Sequence, residues 1–386
     1  MKAEIVYDIW LALAAGQSLA LPRQLLEQFG SAKVLYENRL SLRETGIRLT
    51  GEERKAFEML SLARPERIAE QCEREGTQIV ALPDEGYPER LREIYDPPAV
   101  LYLRGEIDEI DRQIALAVVG TRNHSEYGWR AAETLARGLA SVGVVIVSGM
   151  ARGIDTAAHK GALKGDGRTV AVLGSAIDNP YPKENRDLYE FIASNGAVIS
   201  EFAPGEPTRP QNFPRRNRVI TGLSLGVLVV EAPERSGALI SARHAAEQNR
   251  DVFAVPGRID SPLSAGTNGL LKAGAKLVTE PLDVLSEYVG LYPQTIRAQT
   301  PKRSEREAPK PAEKKGRFRR RAERSTTKDL QLTREETIIK DALRAEPLTA
   351  DELVERTGLS IDQVSIALTM LEVKNHVSKV GDCFTV

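Results

Sequence analysis

The sequence predicts an α/β protein whose centre is a doubly wound, mostly parallel sheet. Two observations predict it. Between residues 114 and 255, short apolar runs alternate with segments of helical periodicity, as in a sheet whose strands are buried on both faces and joined by right-handed crossover helices. Glycine-containing loops follow several of these runs, and such loops lie together at the carboxyl edge of an open α/β sheet.

The elements of this central part, 76–290, follow from the same alternation. The predicted strands are 114–119, 144–147, 169–173, 198–199, 226–230 and 252–255. The predicted helices are 129–139, 156–163, 186–193, 238–248 and 269–273. Strands and helices in this order are typical of successive βα units packed on both faces of one sheet.

Residues 1–75 predict a small helical module. Apolar positions recur at helical spacing across 21–30, and Gly30 ends that segment as a natural helix stop. Residues 7–14, 31–36 and 52–69 also have helical patterns, so the module resembles a helix-hairpin-helix or sterile-alpha-motif (SAM) bundle. It serves either as an accessory contact to DNA or protein, or as a packing module.

Beyond the sheet, composition predicts a linker and a last domain. Residues 291–330 lack apolar periodicity, and 294–330 carry 13 Lys/Arg against 5 Asp/Glu. That composition predicts a basic disordered linker, either simply solvated or in nonspecific contact with nucleic acid. Residues 331–386 have the helix, helix-turn-helix and hairpin order of a winged helix. Its 6 Lys/Arg against 10 Asp/Glu favour protein contact or regulation over reading a DNA groove.

Composition also bears on the compartment. The two cysteines among 386 residues, Cys72 and Cys383, form no CxxC, which predicts neither a disulfide framework nor a metal site and fits a reducing cytosol. The first residues carry charges and no apolar signal core, and no run approaches the ~20 apolar residues of a membrane helix. We therefore expect a cytoplasmic protein without membrane contact.

Two of the loops that follow strands hold candidate phosphate ligands. Gly120, Thr121 and Arg122 follow the first predicted strand, where a phosphate would meet the N-terminus of the next helix. Tyr181 and Lys183 lie in the loop after the third strand, as candidates for base stacking and phosphate contact.

The most basic stretch near the sheet, 213–224, has three arginines and an asparagine in four consecutive positions. Arginine forks suit phosphate oxygens and asparagine can bind a base edge, so Arg215, Asn217 and Arg218 are candidate ligands, unless this is a solvated basic loop. Further along, Ser236 and Gly237 could present backbone N–H groups at a helix start. Arginine, lysine, aromatic and amide groups around one sheet edge favour single-stranded nucleic acid.

Several other chemistries lack the residues they need. The chain has no G-x4-G-K-[ST] and no GxGxxG followed by an acidic residue, so neither a P-loop nor a nicotinamide site is predicted. Its four histidines show no HExxH or paired spacing that would hold a metal. A Ser236/His244 hydrolase pair lacks a GxSxG elbow, and Asp155 with His159 reads as a helix cap with packing. We therefore predict no cofactor and no catalytic residue.

Seven motifs stand in one order across about 110–280. They are GTRNHSEYG (120–128), SGMARGIDTAAHKGAL (148–163), DNPYPKEN (178–185), SEF (200–202), FPRRNRVITGLS (213–224), EAPERSGALISARHAAEQNRDVFAVPG (231–257) and GTNGLLKAGA (266–275). Together they resemble the DNA-processing protein A family, also called DprA or Smf. The helical module and the terminal winged helix are similar to those of longer family members.

The resemblance implies an extended Rossmann-like fold that binds single-stranded DNA, forms a homodimer, protects the strand and loads the RecA recombinase onto it. Natural transformation is the best-known setting of the family. The DNA pocket implied for this chain comprises Gly120, Thr121, Arg122, Lys183, Arg215, Asn217, Arg218, Ser236 and Gly237. The family implies no catalytic residues and no cofactor.

Two other functions stay open at this point. A Rossmann-like nucleotide-phosphate hydrolase would hold phosphates on the same glycine loops and arginines, although the sequence offers no clear general base. An interaction scaffold would instead use the acidic winged helix as its working surface. Deleting 331–386 separates the scaffold from the DNA binder, because DNA binding should survive that deletion.

Overall fold

The computed structural model describes residues 4–44, 46–107 and 109–292, and then 333–344, 347–361, 363–364, 367–368, 371, 376–380 and 383–385. The chain divides after residue 295 into two compact units, which are described separately below. The predicted basic linker, 291–330, lies outside the described residues except for its first two positions. Along the described parts of the chain, no helix combines the length and the apolarity needed to cross a bilayer.

The N-terminal segment is helical, as predicted. Its elements are α1 (Ile5–Ala15), α2 (Leu21–Phe29), α3 (Ala32–Glu37), a 3-10 helix (Arg39–Glu44), α4 (Gly51–Met59) and α5 (Ala63–Glu75). They pack around the buried Trp10, whose ring meets those of Tyr36 and Phe57 edge-on. The single helix predicted at 52–69 is wrong, because the chain becomes extended at Leu60, whose carbonyl accepts the Trp10 indole N–H at 3.0 Å.

The central sheet confirms the predicted fold class. Its strands are β1 (Gln78–Ala81), β2 (Val100–Gly105), β3 (Ala115–Val119), β4 (Val145–Ser148), β5 (Thr169–Leu173), β6 (Ala197–Ser200), β7 (Gly226–Val229), β8 (Asp251–Ala254) and β9 (Lys276–Leu277). Their spatial order is β1-β2-β6-β5-β4-β3-β7-β8-β9. Every pair from β6 to β9 in that order is parallel, whereas β2 pairs antiparallel with both β1 and β6.

Helices cover both faces of this sheet. They are α6 (Glu89–Arg92), α7 (Glu126–Ser141), α8 (Ile154–Lys164), α9 (Arg186–Asn195), α10 (Asn212–Gly222), α11 (Gly237–Glu247), α12 (Ala265–Lys272) and α13 (Pro281–Tyr288). Side chains alternate along each strand. Ala117 and Val119 of β3 belong to the core formed with α10 and α11, while Leu116 and Val118 belong to the core formed with α7 and α8.

The direction of chain progression reverses between β3 and β7. From β3 the chain proceeds through β4, β5 and β6 to one side, and from β7 through β8 and β9 to the other. The two strands are held together beyond their ends, because the Thr121 backbone N–H donates to the Glu231 carbonyl at 2.7 Å. A crevice forms at the carboxyl ends of strands where the order reverses, so this topology fixes where a ligand site is to be sought.

The basic stretch predicted as a loop is a helix, so that prediction is wrong. Helix α10 includes Pro214 in its first turn, where the missing proline N–H would have had no partner within the helix. Arginine is a good helix former, and Val219 and Ile220 bury the inner face of α10 against the sheet. Consecutive side chains of a helix point in different directions, so the arginines of this stretch cannot all face one ligand.

The C-terminal unit has the element order predicted for a winged helix. Its described elements are α14 (Arg334–Leu343), α15 (Ala350–Thr357), β10 (Ser378–Val380) and β11 (Cys383–Thr385). Capping boxes begin both helices, at Thr333 and Thr349, and β10 pairs antiparallel with β11. The helix predicted at 361–371 lies partly outside the described residues.

Candidate functional site

A cleft of about 690 Å³ opens at the carboxyl ends of β3 and β7, and we call it the switch-point cleft. Six of the nine predicted site residues line it. They are Gly120, Thr121, Arg122, Asn217, Ser236 and Gly237. Further lining residues include Asn123, Asp155, Tyr181, Phe213, Arg216, Arg235 and Ser241.

The loop after β3 is anchored from below by one carboxylate. Glu231, which is 2% exposed, accepts a hydrogen bond from the Ser125 N–H at 2.8 Å and another from the Ser125 hydroxyl at 2.6 Å. Gly120 packs against α8 so closely that an added Cβ would lie 2.5 Å from the Ile154 side chain. These contacts hold the loop in one position and leave Arg122 exposed at the rim of the cleft.

An aromatic pair and a cation form one wall. The Tyr181 and Phe213 rings are 5.5 Å apart between centroids, and the Arg122 guanidinium carbon lies 5.1 Å from the Phe213 centroid. Tyr181 is 44% exposed, which leaves ring surface open to a ligand. Phe213 reaches this position because residue 174 is glycine, where a Cβ would lie 2.7 Å from the ring. The wall therefore offers both a stacking surface and a positive charge.

A second wall is formed by the N-terminus of α11. Ser236 is its N-cap, with the hydroxyl accepting the Ala238 N–H at 3.2 Å. Gly237 is exposed, and a Cβ added to it would meet nothing within 4 Å. Asn217 of α10 donates from its side-chain amide to the Gly237 carbonyl at 3.3 Å, which ties the two helices together. Unpaired N–H groups at such a terminus attract an anion.

A buried arginine and a carboxyl group form the floor. Arg216 is 3% exposed and donates to the carbonyls of Gly149, at 2.6 Å, and Val172. Burial lowers the pKa of Arg216 to about 10. Burial likewise raises the pKa of the Asp155 carboxyl, an effect that the nearby Arg216 charge opposes. Like Arg216, Asp155 already has a hydrogen-bond partner within the protein, because it accepts the Ala151 N–H at 3.3 Å.

Lys183 lies near the cleft but does not line it. It begins a 3-10 helix (Lys183–Asn185) two residues after Tyr181, and its side chain is exposed. The next residue, Glu184, pairs with Arg152 across the surface. Lys183 is therefore beside the aromatic wall, where a strand leaving the cleft could meet it.

Arg215 and Arg218 face away from the switch-point cleft. They line a second cleft of about 680 Å³ between the helical module and the sheet. Arg218 has a side chain 2% exposed, with Nη2 2.6 Å from Glu201 Oε2 and Nε 3.5 Å from the Asp96 carboxylate. Arg215 also pairs with Glu201, at 3.2 Å, and donates to the Gly16 carbonyl at 2.8 Å. The sequence places Arg215 and Arg218 close to other predicted site residues, whereas helix α10 turns these two arginines toward a different cleft.

Some lining residues were missed by sequence reasoning. Phe213, Asn123 and Arg235 line the cleft, and none was among the nine. Each lies within one of the motifs quoted above, so the sequence already pointed to the segments that contain these residues. It could not be read without knowing that α10 turns Phe213 toward Tyr181 while turning Arg215 away. Among the described residues, no group of three or more His, Cys, Asp or Glu side chains is arranged to hold a metal ion.

Comparison with known proteins shows which protein family the chain resembles. Residues 78–289 match the sequence model described as DNA recombination-mediator protein A, and residues 323–382 match the DprA winged helix domain. Protein Smf of Escherichia coli is 41% identical over 281 residues, which cover 72% of this chain and 74% of that protein. DNA processing protein DprA of Streptococcus pneumoniae is 47% identical over 205 residues, 53% of this chain and 72% of that protein.

Two solved structures resemble the fold. The X-ray structure of DprA from Streptococcus pneumoniae aligns with a TM-score of 0.65 and 37% identity, covering 73% of this chain and 97% of that one. A DprA structure from Helicobacter pylori, whose description concerns its single-stranded DNA binding mode, aligns with a TM-score of 0.51 and 32% identity. It covers 56% of this chain and 97% of that one.

Proposed function

We propose that this chain, which belongs to the DNA recombination-mediator protein A (DprA/Smf) family, binds single-stranded DNA in the switch-point cleft. The observation that carries the proposal is the pairing of two walls. A cation and two aromatic rings line one part of the cleft, and a helix N-terminus lines another. Phosphates and unpaired bases are the two groups that these walls suit, and only a single strand presents both freely.

Each wall has a role in this proposal. Arg122 pairs with a phosphate, Tyr181 and Phe213 take a base, and the α11 N-terminus at Gly237 takes the next phosphate. Gly120 and Thr121 let the backbone approach the strand closely, while Asn217 holds α10 to α11 and Ser236 caps α11. Lys183 contacts the strand as it leaves past the aromatic wall.

Arg215 and Arg218 take a different role in the proposal. Arg218 has almost no exposed surface to offer a phosphate, and its charge is already met by Glu201 and Asp96. We assign it to holding α10 in place. Arg215 bridges α10 to the helical module through Gly16 and retains 19% side-chain exposure, so it acts from the second cleft and not from the first.

The test is a salt titration of binding to a single-stranded oligonucleotide and to its duplex. Arg122→Ala should weaken binding to the single strand and reduce the slope of log K against log salt by about 0.7. Arg112→Ala is the matched control, because Arg112 is exposed and lies before β3, at the opposite edge of the sheet. Equal affinity of the folded Arg122→Ala variant and the wild type would contradict the assignment.

The proposal also covers what the protein does beyond binding single-stranded DNA. We propose a DNA-processing role without enzymatic turnover, in which the protein protects single strands and loads the RecA recombinase onto them as a homodimer. DNA processing is supported by the names of the related proteins. RecA filament assembly on protein-covered single strands tests loading. Sedimentation tests the homodimer, because the mass it measures should be twice the 42.4 kDa of one chain.

The rival hydrolase would need Asp155 as its general acid or base. This carboxyl lines the cleft and has a raised pKa, which suits such a role. Asp155 lies in the first turn of α8 and is not its N-cap, which is Gly153, so the helix-cap prediction is wrong. Its hydrogen bond from the Ala151 N–H and its attraction to Arg216 instead anchor the floor of the cleft. Phosphate release from nucleotides that is abolished by Asp155→Asn would favour the hydrolase over the DNA binder.

A further inference from the structure

We propose that His124, Trp129 and Lys160 form a second contact for the same DNA strand, next to the switch-point cleft. One base stacks on the His124 and Trp129 rings, and the Lys160 ammonium pairs with the adjacent phosphate. The proposal rests on single-strand binding in the cleft and extends it along the outer surface of α7 and α8. It makes the binding site longer than the cleft.

The two rings form a fixed platform. Their centroids are 4.9 Å apart, with an interplanar angle of 45°. Trp129 is half-buried, and it packs against the core between α7, α8 and the sheet. His124 is exposed, and its Nδ1 lies 3.0 Å from the Ser125 carbonyl, which can only accept, so Nδ1 carries the proton that orients the ring. Little side-chain freedom is left to lose when a base stacks there.

Within the described residues, the positive charge of Lys160 has no carboxylate as an ion-pair partner. Its Nζ lies 5.5 Å from the Trp129 ring centroid, and no carboxylate within 4.0 Å pairs with it in the described part of the chain. Two neighbouring cations are paired, Arg130 with Glu126 and Lys164 with Glu133. A cation over a half-buried ring at the surface is held weakly, so a stacking base can displace Lys160 toward a phosphate.

The platform is continuous with the cleft. His124 follows Arg122 by two residues, so their backbones are at most about 7 Å apart. Consecutive nucleotides of an extended strand can therefore pass from the Phe213 wall over the loop to Trp129. The bases of a duplex are paired and stacked, so the platform should add affinity for single strands only.

The chain supplies its own reporter for the test. It has two tryptophans, and Trp10 is fully buried in the helical module, so quenching by a stacked base reports on Trp129. Full-length protein is titrated with a thymidine dinucleotide, which can occupy the cleft alone, and with oligo(dT) of about 20 nucleotides, which extends beyond it. We expect fluorescence quenching with the longer strand only, and its loss in Trp129→Phe.

Affinities give an independent readout. Trp129→Ala should weaken binding of the longer strand roughly 5- to 100-fold and Lys160→Gln should lower its salt slope by about 0.7, both without effect on the shorter strand. Arg130→Gln is the matched control, since Arg130 is exposed and already paired. Saturating binding of the longer strand without quenching, or equal affinities in wild type and variants, would overturn the platform alone. Failure of both strands to bind would overturn the cleft as well.

Discussion

Replacing Arg218 with methionine should destabilise the fold and leave the DNA affinity of the folded protein nearly unchanged. The side chain is 2% exposed, and Nη2 lies 2.6 Å from Glu201, which is itself 3% exposed. Without Arg218, the Glu201 carboxylate stays buried, with Arg215 at 3.2 Å as its one ion-pair partner among the described residues. Arg122, in contrast, is exposed at the cleft and can contact a ligand directly.

The structure sets the size of the effect. Removing one partner of a buried ion pair costs about 3–5 kcal/mol, and the lower end applies here because Arg215 still faces Glu201. About 3 kcal/mol corresponds to a fall in Tm of about 6–12 °C for a unit of this size. Adding Glu201→Gln should restore part of the loss, because the second buried charge is then removed.

Thermal unfolding by circular dichroism and anisotropy titrations with a single strand, both on the same samples, test this prediction. Arg122→Ala should show the opposite pattern, with the free energy of unfolding within about 0.5 kcal/mol of wild type and affinity weaker by about tenfold or more. An Arg218→Met protein that melts like the wild type but binds tenfold more weakly would refute the structural role assigned to Arg218.

Three further predictions follow from other contacts. Gly237→Asp should weaken binding of single strands several-fold at unchanged Tm, while Gly237→Ala has no effect, because open space surrounds this position and a carboxylate at the α11 N-terminus repels phosphate. Glu231→Ala should also weaken binding of single strands, although Glu231 is 2% exposed, because Ser125 loses both of its hydrogen bonds to that carboxylate. Unchanged affinity would show that the loop after β3 keeps its position without Glu231. Burial lowers the pKa of His159 from 6.5 to about 3, so the unfolded chain takes up the proton first as the pH falls. The free energy of unfolding should then decrease by about 1.4 kcal/mol per pH unit over that range, and His159→Asn, which retains a donor for Thr169, should remove this part of the slope in urea unfolding.

Much of the sheet could be predicted because its strands are buried on both faces. A strand in that environment must be apolar at every position, and a continuous apolar run is visible without knowledge of its neighbours. Strand β5 matches its prediction at both ends, and β3 differs by one residue. The strand order could not be read in the same way, because pairing depends on residues far apart in the chain. The antiparallel β2 shows this, since it pairs with β6 from nearly a hundred positions earlier.

The sequence alone determined that the glycine loops after β3 and before α11 would meet at one edge, since the carboxyl ends of parallel strands lie together. That is why Gly120, Thr121, Arg122, Ser236 and Gly237 share a cleft. Only the tertiary structure decided which arginines of α10 belong to it. Helical periodicity turns Arg216 toward the cleft floor and Arg218 away from it, and Arg218 meets Glu201, a partner on another segment. Charge is a local property of the sequence, but exposure depends on the fold around it.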